Sequence, residues 1–268
     1  MPLSVDLGPR LAVGGTAELF AWQDNRVVKL YWEGASIEAA EREAARTRAA
    51  RAAGAPAPDV FDLVCVEERP GVVFERLDGA LMLDVLGQQP NRVDELARQL
   101  ADLQADLHQR ESDDLPPLRE HVLRRVHLGA LPARVKPIVV EALDDLPDEH
   151  VLCHGDLHPG NVILTRDGAR VIDWFDATAG SPAADLARTC VLLQYARLNS
   201  SAQTSAFAPV RQRFVEVFLE HYHRRSPSVA QDLSKWFTPI AAARTAEPIL
   251  GHERTTLLRV IDTLLGSA

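Results

Sequence analysis

The segment Val151–Leu164, V-L-C-H-G-D-L-H-P-G-N-V-I-L, constrains this chain more than any other. Two apolar runs bracket a block of polar and conformationally special residues, so buried flanks are expected to hold the block in a fixed place. His154 and His158 stand four apart with Asp156 between them, a spacing that on a helix would let both imidazoles share a zinc ion. Gly155, Pro159 and Gly160 make a continuous helix untenable, so the rings do not share a face and the zinc reading fails. The block is read instead as a loop, with Asp156 and Asn161 five residues apart. A hairpin follows: Val162–Leu164, the turn Arg166-Asp167-Gly168-Ala169 with its Asp-Gly signal, and Arg170–Ile172. Asp173 ends the hairpin, and two antiparallel strands bring it back beside Asn161 although twelve positions separate them.

That arrangement suits phosphoryl transfer, which needs a carboxylate to orient the attacking hydroxyl and accept its proton. It also needs oxygen ligands to hold magnesium against a triphosphate. Asp156 fits the first task; the Asn161 amide oxygen and the Asp173 carboxylate fit the second. The order D-x-x-x-x-N, hairpin, Asp is a specific signal.

Upstream, Arg10–Val13, Glu18–Trp22 and Val27–Tyr31 read as short strands separated by Gly14-Gly15-Thr16 and Gln23-Asp24-Asn25. Ser36 opens an Ala/Arg/Glu-rich helix to about Ala53, stopped by Gly54 with Pro56 and Pro58 beyond. Val60–Val66 and Val72–Arg76 are two more strands, joined by a turn over Glu67–Gly71 signalled by its Pro-Gly pair. Residues 1–77 are therefore expected to form a five-stranded antiparallel sheet with one helix. From Leu81 the period changes: Val93, Leu96, Leu100, Leu103 and Leu107 form a helical stripe. Further helices are expected near 119–128, 134–145, 184–198, 207–224 and 252–265, with the hairpin after the loop as the one β-rich island. The expected class is α+β, a small lobe over 1–77 followed by a larger, mostly helical lobe over 78–268.

Composition narrows the setting. The 268 residues carry a net charge of −9, without the basic surplus of a phosphate-neutralising nucleic-acid binder. No apolar run approaches the roughly 18 residues of a membrane span. The start, M-P-L-S-V-D-L-G-P-R, lacks the basic-then-apolar pattern of a secretory signal. Cys65, Cys153 and Cys190 suggest neither a disulfide framework nor a zinc site, so a cytoplasmic home is expected. The acid surplus reads first as solubility, with a cationic partner as the alternative.

H-G-D-L-H-P-G-N followed by I-D-W resembles the aminoglycoside phosphotransferase and choline kinase-like family, relatives of protein kinases. The resemblance implies a protein-kinase-like two-lobed fold, ATP and Mg2+, Asp156 as base, and Asn161 and Asp173 as magnesium ligands. It makes Asp185, in A-A-D-L-A-R, a buried brace for the loop and His154 a structural histidine. His158 falls where protein kinases carry a lysine near the γ-phosphate; it either contacts phosphate or is hydrogen-bonded within the loop. In such a fold the third strand delivers a cation to the α/β-phosphates, and Val27-Val28-Lys29-Leu30 places Lys29 there. Only three of the 29 basic residues are lysine, so its presence here favours a demand for a compact ammonium. Glu38, Glu41 and Glu43 are candidate partners for Lys29, and the resemblance favours Glu43. Leu11–Phe20 would cover the phosphates through the amides of Gly14, Gly15 and Thr16, although it departs from G-x-G-x-x-G. Main-chain groups of Glu75 and Leu77 would meet the adenine edge.

The expected reaction moves the γ-phosphate of ATP to a hydroxyl of a small molecule. The short run Trp174–Ala184 leaves no long activation segment for a protein substrate. A nucleotide-binding, pseudokinase-like regulator is the rival from another class. The resemblance points to an aminoglycoside or other amino-alcohol, a cationic acceptor gripped by acids such as Asp176, Glu220 and Glu247. Arg188, Arg197, Arg244 and Arg254 in the same half would instead suit a neutral or anionic one.

Overall fold

The computed structural model describes residues 7–196 and 201–266, and of 201–207 the backbone only. The first six residues, part of the stretch expected to lack a secretory signal, lie outside the described residues, as do Arg197 and the end of the helix expected over 184–198.

Five strands form the first sheet: β1 (Arg10–Val13), β2 (Ala17–Trp22), β3 (Arg26–Tyr31), β4 (Val60–Val66) and β5 (Arg69–Glu75). Their order is β1-β2-β3-β5-β4, antiparallel throughout. Side chains alternate across β3, so Val28 and Leu30 pack with Val66 and Val73 on one face. Val27 and Tyr31 face the other way, onto Ala40 and Ala44 of helix α1 (Ile37–Ala52). Lys29 shares that second face, so strand geometry alone turns it toward α1. Gly54, at φ +85°, stops the helix in the left-handed region.

One turn differs from expectation. Glu67 and Glu68, at φ 49° and 65°, make a tight two-residue turn, and Pro70 and Gly71 lie inside β5. Positive φ at both residues matches the twist of the flanking strands. Pro70 is tolerated because pairing with β3 ends at Leu30 and Gly71, and Arg69 supplies donors to the Leu30 and Tyr31 carbonyls instead. Gly71 is required by packing: a Cβ there would lie 2.6 Å from the Leu30 side chain and 3.0 Å from the Lys29 carbonyl.

The remainder is mostly helical: α2 (Met82–Gln88), α3 (Val93–Leu107), α4 (Leu118–Leu128), α5 (Val135–Asp144), α6 (Pro182–Tyr195), α7 (Ser201–Arg225), α8 (Pro227–Arg244) and α9 (Gly251–Gly266). Leu96, Leu100 and Leu107 of the expected stripe are buried, and α3 packs along α7 through Phe214, Phe218 and Tyr222. Helix α6 is buried from Pro182 to Leu193, apolar enough on every side to be the centre of this half. The β-rich island is larger than expected. Strand β6 (Gly79–Leu81) joins the hairpin β8 (Val162–Thr165) and β9 (Gly168–Val171), while β7 (Val151–Cys153) pairs with β10 (Thr178–Gly180). Leu152, Cys153 and Val162 are buried, so the loop between β7 and β8 is clamped at both ends.

Helix α8 was not expected, because Pro227 and Pro239 punctuate its sequence. Pro227 occupies the first turn, where its missing N–H costs nothing, and Pro239 is carried inside. What holds α8 is burial of Trp236, Ile240, Ala241 and Ala242 against Ala184, Ala187 and Val191 of α6. No helix among the described residues is long and apolar enough to cross a membrane. Trp236→Ala should destabilise the fold by about 3–5 kcal/mol, the usual cost of emptying a large core site. A urea midpoint close to wild type would show that α8 is dispensable to the core.

Candidate active site

The loop between β7 and β8 is shaped by one buried carboxylate. Asp185 on α6 accepts from the Gly155 N–H at 2.7 Å through one oxygen, and through the other from Gln104 on α3 and from His108 at its C-terminal cap, at 3.0 Å each. His108 continues to the Tyr222 hydroxyl at 2.6 Å and Gln104 to Thr189 at 2.9 Å. Burial alone would raise the Asp185 pKa, but the His108 and Gln104 hydrogen bonds outweigh it and hold the carboxyl below its ordinary range. Gly155 sits at φ +78°, and a Cβ there would come within 2.4 Å of the Asp176 carbonyl, so only glycine fits.

His154 is structural, as expected. Its Nδ1 accepts from the Asp156 N–H at 3.1 Å, its Nε2 donates to the Ile172 carbonyl at 3.1 Å, and its ring packs on Trp174. Asn161 donates through Nδ2 to the Asp156 carbonyl at 2.9 Å and to Asp156 Oδ2 at 3.2 Å, so its amide oxygen points the other way. His158 Nδ1 accepts from the Gly160 N–H at 3.0 Å, closing the turn Pro159–Asn161, and its Nε2 lies 3.7 Å from Asp156 Oδ2. His158 is thus bonded within the loop and also beside the carboxylate.

Asp156 meets Arg188 on its other oxygen, Nη2 to Oδ1 at 3.0 Å. Burial would raise its pKa; the nearby His158 and the Arg188 guanidinium more than reverse that and hold it well below the usual carboxylate range. Arg188 also donates to the Gly155 carbonyl at 2.9 Å and to Glu247 at 2.7 Å.

Lys29 joins the two halves of the chain. Its Nζ lies 2.8 Å from Glu43 on α1 and 3.1 Å from Asp173 after β9, while Tyr31 donates to the other Glu43 oxygen. Burial would lower the Lys29 pKa, but the two carboxylates raise it above its ordinary value, so the ammonium stays charged. Of the three glutamates on α1 it is Glu43 that is buried with Lys29, while Glu38 and Glu41 are exposed. Asp173 adopts a left-handed backbone, φ 64°, which turns its carboxylate toward Lys29.

A cavity of about 610 Å³ adjoins this cluster. Gly14, Gly15 and Thr16 line it on one side, Phe74, Glu75 and Leu77 at the back, and Lys29 and Asp173 at the inner end. The Glu75 N–H is taken by the Asp59 carbonyl, and its carboxylate by Arg170 at 2.7 Å, which narrows its expected main-chain contact to the carbonyl. A second cavity of about 480 Å³ lies between Trp32, Phe175, Asp156, Asp173 and Asp176. No group of three or more His, Cys, Asp or Glu able to hold a metal ion occurs among the described residues. Asn161 Oδ1 and the Asp173 carboxylate are nonetheless both oxygen donors, a set that fits a hard divalent cation sharing its coordination with phosphate and water.

The acids expected to receive an ammonium are placed otherwise. Asp176 is gripped by Arg125 at 2.8 and 2.9 Å, and Glu247 by Arg125, Arg188 and Arg244. Glu220 is exposed on α7, paired with Arg224. Sequence reasoning missed Tyr31, Gln104, His108, and the pairing of Arg188 with Asp156. Period-two alternation marks Tyr31 as sharing the face of Lys29; nothing local marks the others.

Asp185→Asn should cost about 1–3 kcal/mol at neutral pH, because an amide cannot accept at all three donors. The folded-state pKa is depressed, so the advantage of the native carboxylate is complete above about pH 4 and is lost as pH falls through the folded value. Urea unfolding of the two proteins at neutral and acid pH measures this; a difference that grew on acidification would contradict the assignment.

Residues 12–231 match the model of the Phosphotransferase enzyme family. No curated protein matches the chain in sequence. Among solved structures, an amicoumacin kinase in complex with AMP-PNP, Ca2+ and Ami aligns at TM-score 0.60 and 13% identity, over 100% of this chain and 90% of that one. A choline kinase from Cryptosporidium parvum Iowa II aligns at TM-score 0.58 and 14% identity, over 98% and 90%. The ADP-bound aminoglycoside phosphotransferase APH(2'')-Ib aligns at 0.57 and 17%, over 98% and 93%. At these identities the likeness is one of fold, the protein-kinase-like two-lobed architecture with a small antiparallel sheet and a larger helical part. The family match, covering most of the chain and the whole of the loop just described, carries the further conclusion that this protein belongs to the Phosphotransferase enzyme family.

Proposed function

We propose that this chain is an ATP- and Mg2+-dependent small-molecule kinase, transferring the γ-phosphate to a hydroxyl group. One observation carries the reading: Lys29 reaches Asp173, 144 positions away, at 3.1 Å, while Glu43 holds it from behind and the Asp156 loop faces the same space. The two lobes, 1–77 and 78–268, meet at that ion pair, and the nucleotide takes the cavity beside it. Gly14, Gly15 and Thr16 cover the phosphates, the Glu75 carbonyl and the Leu77 main chain meet the base, and Lys29 lies against the α/β-phosphates. Asn161 and Asp173 would hold magnesium, which supplies charge neutralisation on the phosphate oxygens.

In the transfer, the acceptor oxygen forms a bond to the γ-phosphorus. The bond from that phosphorus to the bridging oxygen breaks, its electron pair leaving with ADP. The acceptor proton passes to the Asp156 carboxylate. With its pKa held so low, Asp156 is a weak base whose first task is to aim the hydroxyl, taking the proton late, as the O–P bond forms. Arg188 steadies the carboxylate, and His158, 3.7 Å from it, stands near the arriving phosphate.

Between Asp173 and α6 there is only a short turn, Trp174–Asp176, and strand β10, which favours a small acceptor over a protein. The presence of every group named favours turnover over a regulator that binds nucleotide without using it. The setting proposed is cytoplasmic.

The decisive experiment is a mass-spectrometric screen for ATP-dependent gain of phosphate across aminoglycosides, amino-alcohols, sugars and hydroxy acids. Mg-ATP should also raise the Tm; no shift at millimolar nucleotide and no heat of binding would overturn the reading. Asp156→Asn should lower kcat by roughly 10²–10⁴ with Mg-ATP affinity nearly unchanged. Asp173→Ala should lose the magnesium dependence of nucleotide binding as well as rate. Lys29→Arg keeps the charge but spreads it over a plane too large for the space between Glu43 and Asp173, so kcat/KM should fall markedly in a folded protein. Native-like turnover in any of the three would remove that residue from its role.

A further inference from the structure

The carboxylates that line the second cavity are all paired. Asp156 is paired with Arg188, Asp173 with Lys29, and Asp176 with Arg125. Every carboxylate facing the space therefore already has its cation. Beside that space stand arginines that no carboxylate pairs among the described residues. Ala35 and Ala39 of the α1 side line the cavity, and Arg42 and Arg46 continue that stripe at helical spacing. Helix α4 brings His121, Arg124 and Arg125 to meet them beside Phe175 and Asp176. Arg46 is only 9% exposed, donates to the Phe175 carbonyl, and has no carboxylate within ion-pairing distance among the described residues. Arg124 is exposed; its hydrogen-bond partner is neutral, His121 Nδ1 at 3.3 Å, and it too lacks a carboxylate. Arg42, exposed, also has no carboxylate within ion-pairing distance among the described residues and lies over the Phe175 ring, 5.5 Å from its centroid.

A nearly buried guanidinium without an anion is costly, and several held together repel one another. The repulsion registers on their neighbours. Burial together with Arg125, Arg46 and Arg124 pushes the His121 pKa down to about 3, and burial pushes that of Arg46 down to about 10 although Asp176 opposes it. An oxyanion at this place would relieve both costs, and a planar guanidinium fork suits carboxylate or phosphate oxygens.

We propose that Arg46 and Arg124, which flank Phe175, His121 and Asp176, bind an anionic group of the phosphate acceptor, a carboxylate or a phosphate ester. Asp176 lines the same cavity as Asp156, so an acceptor anchored there presents its hydroxyl toward the loop. The inference rests on the kinase reading for the word acceptor, but the anion site itself does not. It reverses the preference for a cationic acceptor that net charge and family resemblance suggested.

The test measures Tm with Mg-ADP saturating the nucleotide cavity, so that Lys29 is not the responding group. Sodium sulfate is compared with sodium chloride and with tetramethylammonium chloride at equal ionic strength. Sulfate should raise the Tm and tetramethylammonium should not. The sulfate shift should fall by at least half in Arg124→Gln, an exposed change that leaves the core intact, and drop in Arg46→Gln combined with Arg124→Gln to the general stabilisation that excluded sulfate gives any folded protein. Equal sulfate responses in wild type and Arg124→Gln, or stabilisation by tetramethylammonium alone, would overturn the proposal. The two readings fail separately: a protein that responds to sulfate but never to Mg-ATP keeps the anion site and loses the kinase. Acceptors from the screen that carry only amines would keep the kinase and remove the anion site.

Discussion

A single buried carboxylate, Asp185, is the constraint from which the rest of this site follows. It has no exposure to water, yet three donors from two directions satisfy it, and one of them is the backbone of the loop at Gly155. Helix α6, which carries it, is packed on every side, so the carboxylate cannot relax away from the loop. The loop therefore inherits the rigidity of the core. His154 fixes the next N–H, that of Asp156, and Asn161 closes the loop back onto the Asp156 carbonyl. In the proposed reaction the Asp156 carboxylate would aim a hydroxyl because its own freedom was removed during folding rather than during reaction.

The second organising fact is that the ionised groups come in compensated sets drawn from distant parts of the chain. Lys29 stands between Glu43 and Asp173, and Arg188 between Asp156 and Glu247. Such pairs are not favourable merely by being pairs; burial penalises each charge, and geometry decides whether attraction repays it. Here the partners do more than neutralise. Glu43 and Asp173 hold one ammonium between them, which ties α1 and the small sheet to the end of the β8–β9 hairpin. Arg46 is the exception, a buried guanidinium with no carboxylate in ion-pairing distance among the described residues, and the proposed anion site is built on it.

Much of this was legible in the sequence where chemistry and local geometry coincide. The loop declared itself through glycines and a proline that forbid a helix, and its hairpin through Asp-Gly. Lys29 stood out as a rare lysine in the expected third strand and Glu43 through the family resemblance, and the fold brings the two together at 2.8 Å. The misses have a common physical cause. Helix α8 is held by burial against α6, not by local propensity, so two prolines concealed it. The turn at Glu67 and Glu68 depends on φ angles that glutamate rarely adopts, while the Pro-Gly signal next to it belongs to close packing against Leu30. Gln104 and His108 stand at the end of α3, and nothing local announces a partner 77 to 81 positions away.

The late part of the chain shows why counting charges is a poor guide to what a cleft will bind. Glu247 looks in the sequence like a free acid in the acceptor half, and a net charge of −9 strengthens that impression. In the fold three arginines converge on it. Arg188 among them spends its whole fork: Nε on the Gly155 carbonyl, one terminal nitrogen on Glu247, and the other shared between Glu247 and Asp156. A lysine has no such plane of donors and could not hold the Gly155 carbonyl, Glu247 and Asp156 at once. The scarcity of lysine in this chain thus acquires a second meaning. Arginine serves where several acceptors must be fixed together, and the one lysine in the site serves where a compact charge must sit between two carboxylates.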